Sequence, residues 1–159
     1  MEATLQTQDF LTALLELLEE TFDKTKGIFL DKDTSLFYTL DGISAEEASI
    51  PVGGQCATLA AQVAHVIFYL DVLERYVARH DTTPADWGEV WRTVRGVDAA
   101  GWQALKDGLR AAYGRTRDLL IAQEHWDEDS LSGAMAIVVH SAYHLGEIRQ
   151  ALCTLQPDR

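Results

Sequence analysis

Four long stretches of this sequence repeat apolar residues at steps of three and four, the period of an amphipathic helix. They cover residues 6–26, 55–79, 99–123 and 130–155, and none of the chain shows the convincing alternation that a strand would produce. Helices of this kind bury their apolar faces against one another. The pattern therefore predicts an all-α fold, a bundle of four antiparallel helices.

The ends of the predicted helices carry the expected stop and start residues. Gly27 is a natural stop for the first helix, with Lys24 and Lys26 in its last turn, where cations meet the carbonyl end of the helix dipole. Asp98 is placed to cap the third helix, and the fourth ends before Pro157. These signals support the four segments as separate helices.

Two segments between the long helices break the periodicity. Residues 28–54 contain Gly42 and Pro51, and we expect them to form a long crossover connection after the first helix, with a short turn or helix at 35–40. Residues 80–97 contain Trp87 and Trp91, four positions apart, which predicts a short helix held by aromatic packing. No repeat or composition change divides the chain, so residues 1–159 are predicted to form a single domain.

The charge balance argues against nucleic-acid binding. Thirteen Lys and Arg stand against twenty-five Asp and Glu, a formal net charge of −12. The one basic cluster, Arg110, Arg115 and Arg117, is diluted by Asp107 and Asp118. Because nucleic-acid binders neutralise phosphates with a basic patch, we expect no nucleic-acid partner.

We expect a cytoplasmic protein without a membrane span. The first residues lack the basic and apolar regions of a signal peptide, and the longest run without charge, residues 48–70, is interrupted by Pro51 and His65. In a reducing compartment, Cys56 and Cys153 are most simply buried thiols, with a disulfide as the alternative.

His140 and His144 lie four residues apart in the fourth predicted helix. At this spacing both side chains point the same way, separated by roughly 6 Å along the axis. They share a face with small and apolar residues such as Ala136 and Ile137, which predicts that they point into the core. Two imidazoles so placed can bind one metal ion.

A third histidine interrupts the equivalent small and apolar face of the second helix. His65 is therefore predicted to be the third ligand of a divalent metal ion, with zinc or nickel expected first and copper, cobalt or iron also suited to the ligands. Three histidines would leave coordination positions open for water or substrate. The alternative is three core histidines hydrogen-bonded to hydroxyls or carbonyls, without metal.

Glu147 lies two turns beyond His140 and is the candidate catalytic residue. It has four alternative roles: hydrogen-bond acceptor for a ligand, general base, occasional ligand or solvated carboxylate. Gln62 and Tyr69 flank His65 on its helix; they are placed to orient a ligand or line a pocket, although Tyr69 is expected to pack. His80 and His125 fall at predicted helix ends and are not predicted ligands.

The chain resembles the DinB-like family of metalloenzymes, also called the YfiT type. The resemblance rests on T-L-A-A-Q-V-A-H, ending at His65, and on the closing segment H-S-A-Y-H-L-G-E-I-R-Q-A-L, which begins at His140, and it spans nearly the whole chain. It implies a four-helix bundle with a long crossover, a three-His metal site and a homodimer. Some members of that family are metal-dependent S-transferases and isomerases that use low-molecular-weight thiols.

The leading hypothesis is therefore a metal-dependent enzyme, of thiol S-transferase or hydrolase type, acting on a small-molecule electrophile with a low-molecular-weight thiol as a further partner. The alternatives are a metal-stabilised helical bundle that acts as a dimeric or stress-linked binding module and a metal-free helical interaction protein.

Overall fold

The computed structural model describes residues 6–54, 56–79 and 81–156, with residues 78 and 79 described by their backbone alone. Within these ranges every regular element is helical and none is a strand, which confirms the all-α prediction. The predicted single domain stays a prediction.

Four of the helices are long. They are α1 (Thr7–Phe22), α4 (Leu59–Arg79), α6 (Ala99–Ala122) and α7 (Glu128–Leu155). Helix α4 packs against α6 and α7, and α1 packs against the same two helices. The apolar residues that face inward, such as Leu18, Val63, Leu109 and Ile148, belong to one hydrophobic cluster. The two helices that carry the candidate histidines, α4 and α7, are thus in direct contact.

Side-chain caps begin three of the long helices. Asp98 accepts the N–H of Gly101 at the start of α6, as predicted. Asp127 accepts the N–H of Ser130 at the start of α7, and the Ser130 hydroxyl in turn meets the backbone N–H of Asp127. At the start of α4, the hydroxyl of Thr58 accepts the N–H of Ala61 at 3.1 Å. These caps satisfy backbone donors that the first turn of a helix leaves free.

The first helix ends earlier than the sequence predicts. Helix α1 stops at Phe22, so that Lys24 and Lys26 do not lie in its last turn, and the prediction of residues 6–26 was wrong at this end. The physical reason is Glu20, whose carboxylate accepts the backbone N–H groups of residues 26–30 and holds that segment in a bend outside the helix.

The connection from α1 to α4 contains three short elements. Helices α2 (Leu36–Asp41) and α3 (Ala45–Ala48) are followed by a 3₁₀ turn at Val52–Gly54, and α2 agrees with the short helix expected at 35–40. The indole of Trp102 on α6 donates to the carbonyl of Ile43 at 2.7 Å, which holds the connection against the long helices. Helix α4 begins at Leu59, four positions later than predicted, and Gln55 lies outside the described residues.

The segment between α4 and α6 contains α5 (Glu89–Thr93), which packs against α4. Trp91 lies within α5, whereas Trp87 precedes it. Both rings nevertheless pack on α4, Trp87 at 5.6 Å from the Phe68 ring and Trp91 at 4.4 Å from the His65 ring. The predicted aromatic packing of this segment is therefore confirmed.

The two cysteines correct a further prediction. Cys56 and Cys153 were expected to be buried, and both are exposed free thiols. Cys56 precedes α4 rather than lying within it, and Cys153 lies on the outer side of the last turns of α7.

In the described part of the chain, no helix by itself has the length and apolar character needed to cross a membrane. One pair of helical segments, Ala45–Gly54 and Leu59–Val77, has this length and apolar character only when the two are taken together, and the pair is bent by 99°.

Candidate metal centre

Helices α4 and α7 bring the three predicted histidines together. The ring centroids of His65 and His140 are 5.2 Å apart, those of His65 and His144 are 4.9 Å apart, and those of His140 and His144 are 4.5 Å apart. One potential ligand atom from each ring lies within 4.8 Å of the other two. Among the described residues, this cluster contains the three histidines and no carboxylate or thiol.

Burial keeps these imidazoles neutral. His65 and His144 are only 7% and 4% exposed, and His140 is partly buried. Burial, with a smaller effect of neighbouring histidines, lowers the pKa values of His65 and His140 to about 4, while Glu147 opposes the shift. Burial also lowers the pKa of His144, again opposed by Glu147. At neutral pH each ring therefore offers a nitrogen lone pair, the form that binds metal.

Two ring nitrogens in the cluster have no hydrogen-bond partner among the described residues. The Nδ1 of His65 and the Nε2 of His140 are buried and unpaired. An unpaired buried polar atom costs free energy, and most buried polar groups in proteins are hydrogen-bonded. For His65 and His140, these two nitrogens therefore argue against the alternative in which hydroxyls or carbonyls satisfy the histidines.

The separations suit a single ion. Zinc–nitrogen bonds measure about 2.0–2.1 Å, so two nitrogens on one tetrahedral zinc ion lie about 3.4 Å apart. The three candidate atoms lie within 4.8 Å of one another, so the rings would draw closer together around a bound ion. The donor set and its spacing fit a divalent cation that accepts imidazole ligands.

His144 differs from the other two histidines because its Nδ1 meets two acceptors. Gln62 on α4 places Oε1 at 2.6 Å, and Glu147 on α7 places Oε2 at 3.0 Å. The Tyr143 hydroxyl donates to the other carboxylate oxygen of Glu147 at 2.7 Å. Glu147 thus contacts a candidate ligand, and of its four predicted roles the geometry matches that of hydrogen-bond acceptor.

Aromatic rings surround the histidine cluster. Tyr69 stacks on His140 with centroids 3.7 Å apart and an interplanar angle of 15°, which confirms that Tyr69 packs. Trp91 covers His65, and Tyr143 meets His144 edge-on at 5.1 Å. The contact of Trp91 was missed, because the spacing of Trp87 and Trp91 predicts packing but does not identify the partner.

His125 takes no part in the cluster, because it is exposed between α6 and α7. His80 lies outside the described residues. Cys56, which carried no functional prediction, lines a cavity of about 520 Å³ together with Gln62, Tyr143 and Glu147. No signal in the sequence around Cys56 indicates this neighbourhood, because it depends on how α4 and α7 pack.

Comparison with protein-family models, with curated proteins and with solved structures found no match to this chain. The geometry defines a helical protein with a three-His cluster suited to a metal ion.

Proposed function

We propose that this protein binds one divalent metal ion, zinc or nickel, through His65, His140 and His144 and acts as a metal-dependent enzyme. The observation that carries the proposal is the convergence of three neutral, largely buried imidazoles whose ligand atoms lie within 4.8 Å of one another. The two unpaired buried nitrogens support it further.

The proposed reaction class is thiol S-transfer or hydrolysis. A divalent ion held by three histidines has open positions, where it lowers the pKa of a bound water or thiol and so supplies a nucleophile near neutral pH. The chain contributes neutral ligands and a water-poor surround, since His65 and His144 are nearly inaccessible. The proposed substrates are a small-molecule electrophile and a low-molecular-weight thiol, as the resemblance to DinB-like proteins implies.

We extend the proposal to the architecture. The mutual packing of α1, α4, α6 and α7, with the long connection after α1, supports a four-helix bundle with a crossover. A homodimer is proposed on the resemblance alone.

The burial of the histidine cluster favours a second function, that of a non-catalytic binding module. With His65 and His144 almost fully buried and Trp91 over His65, the ion would serve equally well to cross-link α4 and α7 in a non-catalytic binding module. Structural zinc sites usually have four protein ligands, whereas the cluster supplies three among the described residues. Three protein ligands instead of four favour the catalytic function over the binding module.

Metal content tests the shared basis of both functions. Protein purified without a chelator or an affinity tag should contain, or take up, one zinc, nickel or cobalt ion per chain, measured by elemental analysis and titration. Changing His65, His140 or His144 to Ala should strongly weaken uptake, since each change removes one of the three imidazole ligands. The matched control is His125→Ala, which removes an exposed histidine outside the cluster.

Circular dichroism should show that each variant remains folded. Wild-type protein that binds no ion, or a His125→Ala variant that loses uptake as fully as His144→Ala, would overturn the proposed site.

Turnover separates the enzyme from the binding module. Metal-free and reloaded protein are compared on a panel of electrophiles with several low-molecular-weight thiols and with water as acceptor. The enzyme requires activity that returns with the metal and is missing in His140→Ala. A protein that binds one ion stably but shows equal, background rates in both forms across the panel would favour the non-catalytic module.

A further inference from the structure

The histidine cluster has one member whose orientation is set by hydrogen bonds. His144 is 4% exposed, and its Nδ1 faces Gln62 Oε1 at 2.6 Å and Glu147 Oε2 at 3.0 Å. The two acceptors come from different helices, Gln62 from α4 and Glu147 from α7. The ring is therefore held at the contact between those helices.

This arrangement selects one tautomer of His144. A neutral imidazole has one N–H and one lone pair, and a carboxylate oxygen beside a lone pair would be repelled. The proton therefore belongs on Nδ1, where it is shared between Gln62 and Glu147. Nε2 then carries the lone pair and is the nitrogen of His144 available to an ion.

Glu147 is itself oriented. The Tyr143 hydroxyl donates to Oε1 of Glu147 at 2.7 Å, while Oε2 meets His144. Tyr143 and Glu147 lie four positions apart on α7, so the helix places them as neighbours. With one oxygen held by Tyr143, the carboxylate presents its other oxygen to the imidazole.

The other two histidines lack this support on their buried nitrogens. His65 Nδ1 and His140 Nε2 have no partner in the part of the chain that the structure describes, and both rings pack against aromatic side chains, Trp91 and Tyr69 respectively. His144 is thus the ligand that is oriented before an ion arrives.

We propose that Gln62 and Glu147 are positioning residues, which fix the Nδ1–H tautomer of His144 and direct Nε2 to the metal, and that Tyr143 orients Glu147. The inference rests on the proposed metal-binding function and assigns Glu147 a role apart from general base or ligand. Partners of this kind, when removed, typically weaken metal affinity about 10- to 100-fold.

The test uses the full chain with Gln62→Met, Glu147→Met and the double variant. Each single change leaves one acceptor on Nδ1, so the cobalt dissociation constant should rise about 10-fold or less, whereas the double variant should lose about 100-fold. The matched control is Gln150→Met, because Gln150 lines the same cavity as Gln62 and Glu147 but is not a partner of His144. Tyr143→Phe should produce a smaller loss that disappears when Glu147 is already Met.

A second readout detects the tautomer without any metal. Nitrogen-15 NMR of the metal-free protein should show His144 protonated on Nδ1 in the wild type and in Gln150→Met, and a mixture of tautomers in the double variant. Thermal unfolding of each variant reports whether it is folded. Glu147→Gln, which keeps an acceptor oxygen, should retain the Nδ1–H tautomer and serves as the conservative variant.

The outcomes separate this inference from the proposed function. If wild-type protein binds cobalt and the folded double variant binds it as tightly as Gln150→Met, the positioning role is wrong and the metal site stands. An Nε2–H tautomer in the wild type would likewise overturn the positioning role. If the wild type binds no ion, the proposed function fails and this inference fails with it.

Discussion

Glu20 is a fully buried carboxylate that holds the end of α1. It accepts the backbone N–H groups of residues 26–30 at distances from 2.8 to 3.4 Å. Burial alone would raise the pKa of this carboxyl, but the N–H groups of Leu30, Gly27, Lys26 and Ile28 outweigh it and bring the pKa below its ordinary value of 4.5. The charged form is therefore the one that the fold stabilises.

Glu20→Gln should destabilise the protein by about 2 kcal/mol or more at neutral pH, because hydrogen bonds to a charged group are each stronger than those to an amide. Since the folded pKa lies below the unfolded one, the contribution of Glu20 is complete above about pH 4.5 and is lost as the pH falls through the folded pKa. Urea unfolding over this acid range should show a shallower pH dependence in Glu20→Gln than in the wild type.

The control for this change is Glu124→Gln at an exposed position. Equal unfolding midpoints for Glu20→Gln and Glu124→Gln at neutral pH would contradict the role given to Glu20.

At the same scale, the sequence predicted which histidines converge but not how they are held. The i,i+4 spacing of His140 and His144, and the apolar faces around them and His65, follow from helical periodicity alone. The contact of Gln62 with His144 joins residues 82 positions apart and depends on how far α4 and α7 are displaced relative to each other along their axes. Periodicity fixes the face on which a residue lies on its own helix, but it does not determine this displacement.

At the scale of elements, the long helices were predictable from their apolar stripes, and the start of α6 also from its capping residue. The side chain of Asp98 accepts the N–H of Gly101 as expected. The end of α1 was not predictable, because it depends on Glu20 reaching a segment six to ten residues further along the chain. Residue patterns along the sequence predict that the first helix stops at Gly27, and they do not predict the hydrogen bonds that the Glu20 side chain makes.

Replacement by alanine should affect the stability of the protein differently at two glycines within α6. A Cβ at Gly114 would meet nothing within 4 Å, so Gly114→Ala should stabilise the helix by about 0.5–1 kcal/mol through lower chain entropy in the unfolded state. A Cβ at Gly101 would lie 3.2 Å from the Asp98 oxygen that caps α6. Gly101→Ala should therefore gain nothing or lose stability as the cap is displaced.

Calorimetry of both variants checks this prediction, with a rise of about 2–4 °C expected per kcal/mol gained in a chain of this size. A gain at Gly101 equal to that at Gly114 would show that the cap of α6 tolerates the added methyl group.

At the scale of the whole molecule, α4 and α7 are joined by residues far apart in sequence, His65 on one helix and His140 and His144 on the other. The all-α class follows from the apolar periods, but the arrangement of residues 28–54 does not. That connection is held by single long-range contacts, such as the Trp102 indole on the carbonyl of Ile43, which no local pattern encodes.

Because the three candidate ligands come together only in the folded chain, metal binding should raise the stability of the whole protein. An ion that binds the native state alone adds RT ln(1 + [L]/Kd), about 2.7 kcal/mol at a free concentration 100 times Kd. The unfolding temperature should therefore rise with free zinc or nickel, by about 2–4 °C for each kcal/mol, and return to its starting value with a chelator.

The variants decide whether that rise comes from the cluster. His144→Ala should remove the dependence of the unfolding temperature on metal, because only two imidazoles then remain at the contact between α4 and α7. His125→Ala should keep the full dependence, since His125 lies between helices and outside the cluster. An equal metal-dependent rise in the wild type and in His144→Ala would instead place the bound ion at some other position, and the link between this cluster and the stability of the fold would be wrong.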